Sequence, residues 1–188
     1  ISYDSRWQGF IRNDLGLELV ENTDSRHVIS VILENESGAL SRVAGLFSAR
    51  GYNIESLTVA PTTDPSVSRM TIVTSGSTEV VAQITKQLNK LIDVITLVDL
   101  TDGSHIEREL LLIKLNGDSQ ATHDEIEGLV REYGARFLDT SDGTHIVELT
   151  GSGSALDAFL DKVDKSVIVE LVRTGASGIG KGSRVLSY

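Results

Sequence analysis

The chain has 188 residues, 40% hydrophobic and 5% aromatic, with a net charge of −10. That hydrophobic share supports a core and excludes global disorder, while a single Trp7 and scattered Lys and Arg exclude a stacking surface or basic stripe for nucleic acid. The absence of cysteine removes disulfides, thiolate nucleophiles and zinc-thiolate sites and fits a reducing compartment.

No apolar run approaches the roughly 18 residues that span a bilayer. Residues 1–26 lack a signal-peptide pattern and have weak periodicity. They read as an N-terminal extension outside the fold, with a non-native origin left open. A cytoplasmic protein with no membrane and no nucleic-acid partner is expected.

From His27 onward the pattern is legible. "HVISVILE" is a β-branched run, a buried strand. Leu40, Val43, Ala44 and Phe47 then recur at helical spacing, and Gly51 is placed to close that helix. "NIESLTVA" and "VSRMTIVTS" read as strands around a turn fixed by Pro61 and Pro65. A helix follows with Val81, Ile84, Leu88 and Leu91 on one face and Ser77 or Thr78 at its cap. "VITLVDL" closes a β-α-β-β-α-β series.

The order then repeats. "ERELLLIKLN" is a strand, Ile126, Leu129, Val130 and Tyr133 line a helix, and "ARFLDT" with "THIVELT" forms a hairpin around Ser141, Asp142 and Gly143. Leu156, Phe159, Leu160 and Val163 give the next helix face, and "SVIVELV" a last strand. The expected fold class is α+β, two ferredoxin-like (βαββαβ) domains in series. Their bounds are 27–102 and 106–188, with a short linker around "TDGSHI" and a loosely held Gly/Ser-rich tail.

Catalytic chemistry finds little support. "GASGIGKG" nearly matches a phosphate-binding loop, but Gly182 stands where the magnesium-binding hydroxyl belongs and too few residues follow to form the required helix. His27, His105, His123 and His145 include no pair at metal-ligand spacing, so all four read as solvent-facing or interface histidines. Glu107 and Glu109 share one strand face without an accompanying nucleophile, which suits a solvated or interface face better than acid–base work. No catalytic residue and no metal ligand is expected.

The stretch "ENESGAL" is different. The first turn of a helix presents N–H groups without intrahelical partners at its partly positive end. Gly38 opens the backbone there, so a carboxylate can approach the N–H groups near Ala39 and Leu40. Asn35 can donate to the same carboxylate or accept from an ammonium group. Asn53 can do likewise from a facing subunit, with Ile54 as an apolar wall. A small amphoteric ligand with an apolar side chain fits this set, although spacing alone favours a plain turn and cap.

The run "HVISVILENESGALSRVAGLFSARGYNIESLTVAPTTDPSVSRMTIVTSG" resembles the amino-terminal ACT domain of the regulatory (small) subunits of acetohydroxyacid synthase, also called acetolactate synthase. The resemblance continues through "ITKQLNKLIDVITLVDL" and "HIERELLLIKL" and, more loosely, "VELVRTGASGIGKG". "REYGARF" departs from the Phe-Arg pair usual there. The resemblance implies a non-catalytic subunit of branched-chain amino-acid biosynthesis that binds no cofactor itself. It implies a catalytic subunit as partner, carrying thiamine diphosphate, FAD and magnesium. It also implies a homodimer whose interface binds valine, or leucine or isoleucine, through Asn35, Gly38, Ala39, Leu40, Asn53 and Ile54. Two rival readings are a free-standing amino-acid-responsive regulator of transcription, which the acidic charge disfavours, and an enzyme acting through the Gly-rich tail.

Overall fold

The structure, a computed structural model, describes residues 10–13, 16–19 and 25–187. Strands β1 (Phe10–Asn13) and β2 (Gly16–Leu19) pair antiparallel with each other. The weak periodicity of residues 10–13 and 16–19 gives no strand signal, so these two strands are not expected from the sequence; the rest of 1–24 lies outside the described residues.

The first domain runs β3 (Ser25–Glu34), α1 (Ala39–Arg50), β4 (Ser56–Pro61), β5 (Val67–Gly76), α2 (Thr78–Leu88) and β6 (Val94–Asp99). Its strands form one antiparallel sheet in the order β4-β5-β3-β6, the ferredoxin-like arrangement. Alternation along β3 divides its side chains between two faces. Ile29, Val31 and Leu33 join Val43, Phe47, Val81, Ile84 and Leu88 of the two helices in one core. Val28 instead faces away, against Val73, Leu100 and Ala176.

Helix boundaries follow local chemistry. Gly51 adopts φ 67° and returns its N–H to the carbonyls of Phe47 and Ser48, closing α1. The Ser77 hydroxyl accepts from the Val80 N–H and starts α2. One expected core position is displaced: Leu40 is 43% exposed, while Ala39 takes the buried place in the first turn. The apolar stripe simply begins one residue earlier than a count from Leu40 suggests.

The second domain runs β7 (His105–Asn116), α3 (Gln120–Tyr133), β8 (Arg136–Asp139), β9 (Thr144–Gly151), α4 (Gly153–Lys162) and β10 (Ile168–Arg173), followed by β11 (Ser177–Gly180). Its sheet order β10-β7-β9-β8 repeats the first domain's topology. The hairpin turn lies where expected, with Asp142 at φ 52° and Gly143 at φ 73°.

The tail is not the loose end that its Gly/Ser content suggested. β11 pairs with the first half of β7, next to the stretch of β7 that β10 occupies. It also lies on the helix-free face of the first sheet. Gly178 donates its N–H to Thr71 Oγ1 (3.3 Å) and accepts from Arg69 Nη2 (3.2 Å), and Thr58 Oγ1 donates to the Ala176 carbonyl (3.2 Å). A Cβ on Gly178 would sit 2.6 Å from Leu100 Cδ1, so glycine is what lets the backbone come this close. The glycines that mimic a disordered tail are here the means of close packing.

Candidate functional site

The loop between β3 and α1 is fixed by backbone bonds. The Asn35 N–H donates to the Ser66 carbonyl (2.7 Å) and its Nδ2 to the Pro65 carbonyl (2.9 Å), tying it to the β4–β5 turn. Gly38 caps α1 with φ 91°, a left-handed conformation that L side chains rarely adopt. No side chain caps this helix, whereas Ser77, Ser119 and Ser152 cap α2, α3 and α4 with their hydroxyls. The Ala39 N–H is engaged by the Glu36 carbonyl (3.3 Å) and its side chain is buried in the core. Leu40 projects outward beside the open turn.

Sequence reasoning missed Arg42. Its guanidinium grips Asp93 through Nε and Nη2 (Nη2 to Oδ1, 2.6 Å), and its Nη1 lies 2.8 Å from where a Gly38 Cβ would stand. The hydrogen bonds from Arg42 hold the Asp93 carboxyl below the usual carboxylate range, and the same bonds raise Arg42. The guanidinium therefore lies beside the first turn of α1 with its charge paired to Asp93. The only available signal was Arg at the fourth residue of α1, which spacing cannot connect to an aspartate 51 positions away.

Asn35, Gly38, Ala39 and Leu40 thus gather at one end of α1. Asn53 and Ile54 lie past the other end. α1 has 12 residues, about 18 Å at the usual rise, so one chain does not bring both groups to one small ligand. Asn53 is exposed; its carbonyl accepts from Thr74 Oγ1 (2.6 Å), and its side chain has no partner among the described residues. Ile54 is half-buried against the core.

The other sequence candidates resolve as structural contacts. Of the two expected placements, solvent-facing or interface, the first does not hold for His27 and His145, which are buried: His27 bonds Asp99 Oδ2 (2.7 Å) and Ser25 Oγ (2.8 Å), and His145 Nε2 meets His123 Nδ1 (3.1 Å). Cross-strand and strand–helix neighbours of this kind leave no trace in spacing. Burial lowers the His145 pKa, with His123 adding to the effect. Glu107 takes a bidentate pair from Arg26 (2.6 and 3.0 Å) and a bond from His105 (2.9 Å), linking the two domains. Glu109 is buried and held by Arg173 (2.8 and 2.9 Å), so it is not on a solvated face. No group of three His, Cys, Asp or Glu among the described residues could hold a metal ion. "GASGIGKG" enters the strand β11, not a helix, which removes the phosphate-loop geometry.

The fold is that of an ACT-type domain joined to a second ferredoxin-like domain. The family model of the AHAS small subunit-like ACT domain matches residues 29–96, and the model of the small subunit of acetolactate synthase matches 108–182. The chain is 48% identical over 162 residues to the acetolactate synthase isozyme 3 small subunit of Escherichia coli K12, covering 86% of this chain and 99% of that relative. It is 43% identical to a probable acetolactate synthase small subunit of Archaeoglobus fulgidus, covering 85% and 99%. The crystal structure of the acetolactate synthase small subunit from Thermotoga maritima superposes with a TM-score of 0.78 at 31% identity, covering 85% of this chain and 99% of that one. The chain belongs to the acetolactate synthase small-subunit family, the non-catalytic regulatory chains of that enzyme.

Proposed function

We propose that this chain binds the catalytic subunit of acetolactate synthase, raises its activity and makes it sensitive to valine, with leucine or isoleucine as the other effectors. The effector sits between two copies of the first domain. The observation carrying this reading is the separation of the two halves of the site by the length of α1, about 18 Å. A second copy supplies what one chain cannot.

The topology supports a specific pairing. β4 is an edge strand of the first sheet, with Val59 41% exposed. β3 and β4 both run antiparallel to β5, so Asn35 ends β3 at the opposite end of the sheet from Asn53. Antiparallel pairing of two β4 edges reverses the second copy and carries its Asn53 to the Asn35 end of the first. Such pairing also covers an edge that would otherwise invite aggregation. The effector carboxylate meets the first turn of α1 beneath Arg42, and Asn35 and the partner's Asn53 orient it. Leu40 and the partner's Ile54 receive its apolar side chain.

Thiamine diphosphate, FAD and magnesium belong to the catalytic partner in this reading, and both chains work in the cytoplasm. The test is to measure acetolactate formation from pyruvate by the catalytic subunit with and without this chain, across a valine titration. Activation by the chain and valine inhibition only in its presence are expected. An unchanged rate and unchanged valine response would overturn the proposal.

A further inference from the structure

The helix-free face of the first sheet holds a second feature. Beneath the C-terminal segment lies a hollow of about 180 Å³, lined chiefly by Arg69, Val98, Leu100, Ile179, Arg184 and Leu186. Its walls are mostly aliphatic. Its cations are Arg184 on the covering segment and Arg69 on β5, both half-buried, with Arg69 Nε donating to Ser30 Oγ (3.1 Å) and Nη2 to the Gly178 carbonyl (3.2 Å). Both acceptors are neutral oxygens.

Elsewhere in this acidic chain several guanidinium groups meet carboxylates, whereas Arg184, which also lines the hollow, meets only the Leu100 and Asp99 carbonyls among the described residues. Arg26 faces Glu107, Arg42 faces Asp93, and Arg173 faces Glu109 and Asp157. Arg69 forms no ion pair among the described residues, and burial pushes its pKa down. A guanidinium carries five N–H donors, and the two bonds leave Nη1 unspent. Removing a cation from water without a counter-charge is unfavourable, and an anion seated beside it would relieve that penalty.

The remaining chemistry narrows the anion. The hollow has room for about six water molecules at about 30 Å³ each, the size of a branched acid of about five carbons. Its lining holds two arginines and no carboxylate to meet an ammonium group. The Gly178 carbonyl is taken by Arg69, and the Leu100 and Asp99 carbonyls by Arg184 (3.1 and 2.7 Å). The Asp99 carboxylate is committed to His27 and to the Thr101 N–H. The walls therefore suit a carboxylate with an apolar branch and no amine.

We infer that Arg69 and this hollow form a binding site for short branched monocarboxylates lacking an ammonium group, the 2-oxo and 2-hydroxy acids. The carboxylate meets Arg69, and the branch lies against Val98, Leu100, Ile179 and Leu186. Arg184 clamps the covering segment to the Asp99 and Leu100 carbonyls. The site stands apart from the helix-end pocket and uses none of its residues.

The test is calorimetric titration of the full chain with 3-methyl-2-oxobutanoate, and in parallel with valine. Saturable binding of the oxo acid is expected. Arg69→Met should weaken it by about tenfold or more, as loss of a charge-assisted bond implies, without altering valine binding. Leu186→Trp, which fills the hollow from its covering segment, should abolish it and serves if Arg69→Met does not fold. Asn53→Ala should leave it intact. Absence of oxo-acid binding at millimolar concentration, wild-type affinity in both hollow variants, or competition with valine for one site would each overturn the inference.

Discussion

Replacing Asn53 with alanine isolates ligand recognition from folding. The Asn53 side chain is exposed and makes no hydrogen bond within the described residues, so its removal should change stability by no more than about 0.5 kcal/mol. A hydrogen bond to a charged ligand is worth about 1.5–3 kcal/mol, which corresponds to a roughly ten- to hundredfold loss of effector affinity. The neighbouring substitutions are less clean. Asn35→Ala also removes the bond to the Pro65 carbonyl, about 1 kcal/mol of loop anchoring. Gly38→Asp forces φ 91° on a residue with a Cβ, costing about 1–2 kcal/mol, and sets a carboxylate against Arg42 in competition with Asp93. The assay pairs a thermal melt of each variant with a valine titration of the reconstituted enzyme. Asn53→Ala should melt with the wild type and require ten- to hundredfold more valine, while Gly38→Asp loses both stability and response. A wild-type valine midpoint in Asn53→Ala would refute the site.

Three further outcomes follow from the same geometry. Val59→Lys on the β4 edge should yield a monomer by sedimentation and a loss of valine binding; a dimer with intact binding would remove the edge-pairing model. Gly178→Ala should overpack against Leu100 and Val28 and lower the melting temperature by the equivalent of about 1–3 kcal/mol, whereas a neutral change would mean that β11 does not hold the domains together. Arg26 holds the Glu107 pKa down, so that contribution is present above about pH 4.3 and is lost as pH falls through the lowered value; the Gly103 carbonyl and then Glu107 raise His105, whose contribution is present below about pH 6.5 and is lost as pH rises through the raised value. With Arg26 44% exposed the effect is under about 1 kcal/mol, and His105→Gln should flatten the neutral-pH decline in stability; an unchanged profile would exclude the link.

What was legible in the sequence was whatever repeats along the chain or marks a local end. The stripe Val43–Phe47, the cap at Gly51 and the serine at Ser77 are each set by neighbours within one or two turns, so both βαββαβ units emerge from spacing. The helix-end half of the proposed site was visible for the same reason, as a glycine preceding an uncapped helix. Contacts between distant positions were not. Arg42 reaches Asp93 across 51 residues and Arg26 reaches Glu107 across 81, and nothing local distinguishes these arginines from Arg50. The tail was misjudged because glycine signals both chain freedom and close backbone approach. Only the contact of Gly178 with Leu100 shows which applies here.

A mixed-dimer experiment tests the shared pocket most directly. Asn35→Ala and Asn53→Ala chains should each be defective in valine binding as homodimers, because every proposed pocket in them lacks one amide. In a dimer of one chain of each kind, one pocket lacks both amides and the other draws two intact amides from different chains. Random mixing should therefore restore wild-type valine affinity in about one pocket in four, read as a recovered high-affinity phase in calorimetry. If the mixture binds no better than the separate variants, although sedimentation of differently tagged chains shows exchange, the pocket is not built from two copies and the account fails.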